Sequence, residues 1–159
     1  MIIRPARPED AAGILPIVNH VIRETSITFT STEKSEDQVR DEIASRDGAY
    51  FVADADGRIK GFATYFQFRN GPGYARTMEH SIALSHDAWG QGAGRALMSA
   101  LCDHAAARGA HSMWAGVSAE NPSGVAFHAR IGFAEVARLP EVGFKFGRWM
   151  DLVLMQKIL

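Results

Sequence analysis

Three glycines at alternate positions, Gly90, Gly92 and Gly94, separate a strand-like run from an amphipathic helical run. No other feature constrains the chain as much. In Trp89-Gly90-Gln91-Gly92-Ala93-Gly94-Arg95-Ala96-Leu97, the glycines remove the Cβ atoms that would keep a ligand away from backbone N–H groups. The helix that follows adds about half a positive charge at its start. Together these favour a phosphate or pyrophosphate, although a plain turn from strand to helix would use the same residues. A Walker loop would need lysine and a hydroxyl where Gly94 is followed by Arg95 and Ala96. A dinucleotide fingerprint would need G-x-G-x-x-G in the first βα unit and an acidic residue about 20 positions on, where Met113-Trp114-Ala115 stand instead.

The rest of the chain supplies strands and helices around that loop. Ile2–Arg4 reads as a short strand, and Pro8-Glu9-Asp10 as a helix opening. Ile14, Ile17, Val18, Val21 and Ile22 continue it as an apolar stripe, with Pro16 expected to kink the helix or delay its start. Ser35 and Gln38 have capping-box spacing for a second helix to about Ala44. Strands Tyr50–Ala53 and Ile59–Phe66 flank an Asp54-Ala55-Asp56-Gly57 turn. A loop from Arg69 to Arg76 precedes a strand from Thr77 to Leu84. Then follow a helix from about Gly94 to Arg108, a strand His111–Val117, a helix Pro122–Ile131, and strands Phe133–Leu139 and Trp149–Gln156. This order, β-α-α-β-β-β-α-β-α-β-β, is a mixed α/β sandwich in one domain spanning 1–159 rather than a doubly wound sheet.

Charge and cysteine content narrow the function. Seventeen Lys plus Arg against 18 Asp plus Glu give a net charge of −1, which removes the general warrant for nucleic acid or a polybasic membrane surface. The single cysteine, Cys102, excludes an intrachain disulfide and a Cys₄ or Cys₂His₂ zinc site, and the five histidines other than His128 show no metal-ligand pattern. With no apolar leader or membrane-spanning run, the expected location is the cytoplasm.

The glycine loop resembles the acyl-CoA pyrophosphate loop of the GCN5-related N-acetyltransferases, Q/R-x-x-G-x-G/A, with Gly92 and Gly94 at the glycine positions and Trp89 replacing the usual first residue. Asn121-Pro122-Ser123-Gly124-Val125-Ala126-Phe127-His128-Ala129-Arg130-Ile131-Gly132-Phe133 resembles the second motif of that superfamily, N-x-x-A-x-x-x-Y-x-x-x-G-F. The segments Asn19–Ser26, Thr77–Ser81 and Val142–Asp151 are similar to the phosphinothricin and methionine sulfoximine N-acetyltransferases, over nearly the whole chain.

The resemblance implies a mixed, mostly antiparallel sheet flanked by helices, with two central parallel strands splayed to admit acetyl-CoA. Backbone groups of Ile82, Ala83 and Leu84 would hold the pantetheine and thioester, and one N–H there would serve as an oxyanion donor worth about 2.7–4 kcal/mol. The N–H groups of Gln91, Gly92, Ala93, Gly94, Arg95 and Ala96 would take the pyrophosphate. Asn121 and Gly124 would reach the pantetheine arm, while Asn121 equally suits a helix N-cap.

Glu79 is the candidate base, because an ammonium cannot attack a thioester until it loses a proton; a salt-bridged strand glutamate is the ordinary alternative. His128, at the usual tyrosine position, would protonate the leaving thiolate or simply pack. Arg69, with Gly71, Tyr74, Glu24 and Phe29, would contact the amine substrate, and the Arg69 guanidinium suits a carboxylate. The expected activity is direct acetyl transfer from acetyl-CoA to the α-amine of a small amino acid analogue, in a homodimer. Acetylation of a polyamine, an aminoglycoside or a protein N-terminus, and non-catalytic acyl-CoA sensing, are the alternatives.

Overall fold

Alternating burial along the strands sorts side chains into two cores on opposite faces of one sheet. The computed structural model describes residues 1–159. Its seven strands are β1 (Ile2–Pro5), β2 (Tyr50–Ala55), β3 (Arg58–Gln67), β4 (Thr77–Leu84), β5 (Ser112–Ser118), β6 (Ala134–Lys145) and β7 (Arg148–Ile158). They lie in the order β1-β2-β3-β4-β5-β7-β6, antiparallel except for the β4–β5 pair. Four helices flank the sheet: α1 (Ala11–Glu24), α2 (Glu36–Ser45), α3 (Ala93–Ala107) and α4 (Pro122–Arg130).

In β2, Tyr50 and Val52 face α1 and α2 with Ile14, Ile17, Val39 and Ile43, whereas Phe51 and Ala53 face α3 with Leu97, Leu101 and Ala105. A strand's period of two requires this split. In β4 it places Ala83 with the first core and Met78, Ile82 and Leu84 with the second.

The capping box is present, with Gln38 N donating to Ser35 Oγ at 3.1 Å and Ser35 N donating to Gln38 Oε1 at 2.8 Å. Pro16 neither ends α1 nor delays it. A 3₁₀ turn at Pro8–Asp10 leads into the helix at Ala11, which runs through the proline to Glu24. The β2–β3 turn is tighter than expected, because Asp56 (φ 51°) shares the left-handed region with Gly57 (φ 86°) and two residues suffice.

The last hairpin differs most from expectation. The strand expected to stop at Leu139 continues to Lys145, absorbing Pro140 and Glu141 as a register shift between Leu139 and Gly143, with Glu141 at φ 51°. Such an irregularity fits here because β6 is an edge strand, where proline leaves no interior hydrogen bond unmade.

Candidate active site

The parallel β4–β5 ladder has only three matched pairs: Thr77 with Ser112, Met78 with Met113 and Glu79 with Trp114. Beyond them, β4 stays paired with β3 as far as Leu84, and β5 stays paired with β7 as far as Ser118, but the two strands part from each other. Backbone bonds at both ends of the β3–β4 ladder, Phe68 N to Thr77 O at 2.9 Å and Ser85 N to Lys60 O at 2.8 Å, set its alternation. Glu79, Ser81 and Ala83 therefore turn their backbone groups toward β3, and His80, Ile82 and Leu84 turn theirs into the gap. Of the three residues expected to hold the pantetheine, Ile82 and Leu84 have the outward backbone; Ala83 lines the gap, but its backbone belongs to the β3 ladder.

A cleft of about 970 Å³ opens from this gap to both faces of the sheet. Its cofactor-like side comprises Trp89, Gly90, Gly92–Arg95, Asn121, Gly124 and Phe127. Gly92 (φ 83°) is the N-cap of α3 and supplies no side chain, so the helix start stays open to the cleft. The N–H of Ala96 already bonds to Gly92 O at 3.0 Å, leaving Gly92, Ala93, Gly94 and Arg95 as the groups without intrahelical partners. Gln91 donates its side-chain N–H to Asp87 O at 2.7 Å and does not line the cleft. Gly94 answers a packing need, since a Cβ there would come within 3.1 Å of the Phe127 ring. Trp89, 55% exposed, lies against His86 with centroids 4.9 Å apart and directs Nε1 toward Leu84 O at 3.4 Å.

Asn121 caps α4 by accepting from Gly124 N at 3.1 Å, and Ser123 Oγ donates to the same Oδ1 at 3.0 Å. Its Nδ2 makes no hydrogen bond within the protein, so the cap and a ligand contact are compatible uses of one side chain. A Cβ at position 124 would collide with the Asn121 amide, which accounts for glycine where the motif usually has alanine.

The opposite side of the cleft is apolar: Val18, Val21 and Ile22 of α1, Ile27 and Phe29 of the α1–α2 loop, and Leu152 and Leu154 of β7. Glu79 stands at the fork of the strands, on the α1–α2 face by alternation, with Oε2 3.8 Å from where a Cβ on Gly116 would lie. Its carboxylate makes no hydrogen bond or ion pair within the protein, and burial raises its pKa above the usual glutamate value.

His80 and His128 are both buried on the other face. His128 Nδ1 lies 2.7 Å from Gly124 O, and its Nε2 lies 3.0 Å from His80 Nε2, so neither nitrogen is presented to an incoming sulfur. The direct proton donor expected at His128 therefore needs correction: the ring lines the cleft with both nitrogens engaged.

Four expected substrate contacts are not brought to this cleft. Arg69, Gly71 and Tyr74 lie on an exposed loop at the start of β4, away from the open end of the fork, and Glu24 pairs with Arg23 at 3.0 Å in solvent. Of the expected set, only Phe29 lines the apolar side. Sequence reasoning missed what holds Phe29 there. Buried Lys145 donates to Thr25 O at 2.5 Å and Thr28 O at 2.9 Å, and Gly143 lies so close beneath the Phe29 ring that a Cβ would overlap it. The Val142–Asp151 segment carried the signal, but no local pattern says which loop it secures. Cys102 lies within α3 outside this cleft, and burial raises its thiol pKa. No group of three or more His, Cys, Asp or Glu residues is arranged to hold a metal, and no helix is long and apolar enough to cross a membrane.

Comparison with known proteins agrees with this geometry. Residues 18–133 match the acetyltransferase (GNAT) family. The chain is 36% identical over 159 residues to the L-amino acid N-acyltransferase MnaT of Escherichia coli, covering 98% of this chain and 92% of that protein. It is 35% identical over 158 residues to the L-methionine sulfoximine/L-methionine sulfone acetyltransferase of Pseudomonas aeruginosa, covering 97% and 92%. Among solved structures, the ribosomal-protein-alanine N-acetyltransferase of Brucella melitensis superposes with a TM-score of 0.95 at 34% identity, covering 100% of both chains. The phosphinothricin acetyltransferase of Sinorhizobium meliloti in complex with acetyl-CoA superposes with a TM-score of 0.93 at 33% identity, covering 99% and 88%. The chain belongs to the GNAT family; it is an acetyltransferase, and acetyl-CoA is its co-substrate.

Proposed function

We propose that this GNAT-family enzyme transfers acetyl from acetyl-CoA directly to the α-amine of small amino acid analogues such as phosphinothricin, methionine sulfoximine and methionine sulfone. The observation that carries this reading is the unpaired Glu79 carboxylate at the strand fork, facing an apolar acceptor pocket. The start of α3 with Arg95 and Arg130 suits the diphosphate, and Ile82 and Leu84 turn backbone groups toward the pantetheine arm, with Leu84 O shared with Trp89 Nε1. Acetyl-CoA supplies an activated acyl carbon; the chain's own residues orient the donor and ready the acceptor.

Glu79 takes a proton from the substrate ammonium, directly or through one water, and its raised pKa brings it nearer to that task. Val21, Ile22, Ile27 and Phe29 enclose the methylene stem of a short side chain, while a polycation would find only Glu79 and the Lys34-paired Glu42 as acidic lining. A cleft open to both faces supports transfer in a ternary complex, since donor and acceptor can enter from opposite sides. Exposed Phe144 and Trp149, packed edge to face with centroids 5.1 Å apart on the terminal hairpin, support assembly as a homodimer. The absence of an apolar membrane-spanning helix is compatible with a cytoplasmic location.

The test is CoA release from acetyl-CoA with phosphinothricin, methionine sulfoximine and methionine sulfone beside spermidine, kanamycin and an alanine-terminated peptide. Turnover confined to the first three is the expected result. Turnover on the peptide alone would replace the substrate class with a protein N-terminus, and acetyl-CoA binding without turnover on any amine would favour a sensor.

A further inference from the structure

His80 and His128 stand 48 residues apart in sequence, and their rings meet at the cofactor side of the fork. His80 Nδ1 lies 3.0 Å from Trp114 O, and His128 Nδ1 lies 2.7 Å from Gly124 O. A carbonyl oxygen only accepts, so both Nδ1 atoms must carry hydrogen. Two neutral rings would then have no proton left for the 3.0 Å contact between their Nε2 atoms, and two lone pairs would face each other in a buried site. One additional proton completes all three hydrogen bonds. Phe127 and Phe133 close around the rings, with centroids 5.1 Å and 5.2 Å from His128, which leaves little room for either ring to turn away.

We propose that His80 and His128 share one proton between their Nε2 atoms, forming an imidazole–imidazolium pair whose single positive charge faces the departing thiolate, with His80 as the positioning residue. This rests on the acetyl-transfer reading above. As the amine nitrogen bonds to the acyl carbon, the C–S bond breaks and sulfur keeps the electron pair. Glu79 holds the proton given up by the ammonium, the second amine proton leaves the nitrogen for solvent as the tetrahedral intermediate collapses, and the thiolate takes up a proton from solvent on release. The pair keeps its own proton throughout, since all four ring nitrogens are engaged.

The surroundings suit one charge and not two. Burial lowers both histidines, His80 to about 3 with the neighbouring His128 adding to the effect, so a second proton is excluded and the first is held against burial only by the three hydrogen bonds it completes. No carboxylate neutralises the pair. Glu79 projects to the other face of β4, β5 has no titratable side chain, and α4 carries only Arg130 besides His128. On β6, Glu135 is occupied by Arg138 at 2.9 Å. On α3, Arg95 lines the cleft, whereas Asp103 lies outside it; Lys157 of β7 donates to Ile131 O at 2.9 Å. The counter-charge is thus left to the ligand.

Imidazole ¹⁵N NMR of the ligand-free protein near pH 6.5 counts the protons without any substrate. Three N–H hydrogens on the two rings are expected; only two would overturn the proposal, whatever amine the enzyme acetylates. In kinetics, His80→Gln should lower kcat about tenfold or more, with the KM for acetyl-CoA nearly unchanged, and should shift the alkaline limb of the kcat profile. A His80→Gln profile superimposable on the wild type would overturn the role of the pair. If that variant fails to fold, the proton count in the natural protein still decides. A failed substrate screen with a three-proton count would sink the substrate class alone.

Discussion

At the scale of single residues, Glu79 faces opposing demands. As the proposed base it would have to be ionised to accept a proton, yet burial disfavours its charged form. Because its folded pKa lies above its unfolded value, the associated stability is full below the unfolded pKa and is lost as pH rises through the folded one. Replacement by glutamine should therefore leave melting temperature at neutral pH unchanged or higher, while kcat falls about 10²–10⁴-fold. In the natural enzyme, the acid limb of kcat should lie above the ordinary glutamate range. Thermal melts and a pH–rate series check both outcomes. Asn121 permits a cleaner separation, since aspartate caps a helix as well as asparagine but has no Nδ2 to donate. Asn121→Asp should hold the melting temperature near that of the natural protein and weaken acetyl-CoA binding by at least the roughly 2–10-fold of one lost hydrogen bond. Calorimetric titration beside a melt distinguishes this from a purely structural asparagine.

At the scale of elements, Lys145 links two parts of the chain that sequence treats as unrelated. Its bonds to Thr25 O and Thr28 O fix the loop carrying Phe29. Lys145→Met would leave both carbonyls without that donor, so the loop should loosen. The expected result is a several-fold rise in the KM for the amine with acetyl-CoA affinity preserved, read from steady-state kinetics and titration. Elements with a local cause were legible: the Ser35 box, the glycine start of α3 and the alternation of β2 to β4 each follow from spacing within a few residues. The glycine loop before α3 was legible for the same reason, whereas Glu79 was singled out by the chemical need for a base and by the resemblance at Thr77–Ser81. What escaped depends on contacts between distant segments. The Lys145 anchor spans 120 residues, the His80–His128 contact spans 48, and β6 survives its proline through an edge position that only the assembled sheet defines. Arg69 shows the converse: its chemistry suits a carboxylate, but the loop does not carry it into the cleft.

At the scale of the whole molecule, the terminal hairpin is the exposed apolar feature that a soluble monomer does not need. Phe144, Phe146 and Trp149 are each more than half exposed, and Val142 is 50% exposed. Clustered aromatics of this kind mark interaction surfaces more often than free ones. Light scattering should give twice the 17.4 kDa chain mass, and Trp149→Ser with Phe144→Ser should return it toward one chain. The same double variant should weaken amine binding if the assembled pair helps to form the acceptor site.

The fork between β4 and β5 also bears on the lifetime of the protein. A sheet interrupted after three residue pairs is an unfinished piece of architecture, with facing edges that water must solvate until something lies between them. A co-substrate bound there, as proposed above, would act as the missing strand and make metabolic supply part of the fold's own cohesion. Binding only to the folded form at 100 times the dissociation constant adds about 2.7 kcal/mol. A cell short of acetyl groups would thus hold an enzyme that is idle and, by the same open seam, easier to unravel and degrade.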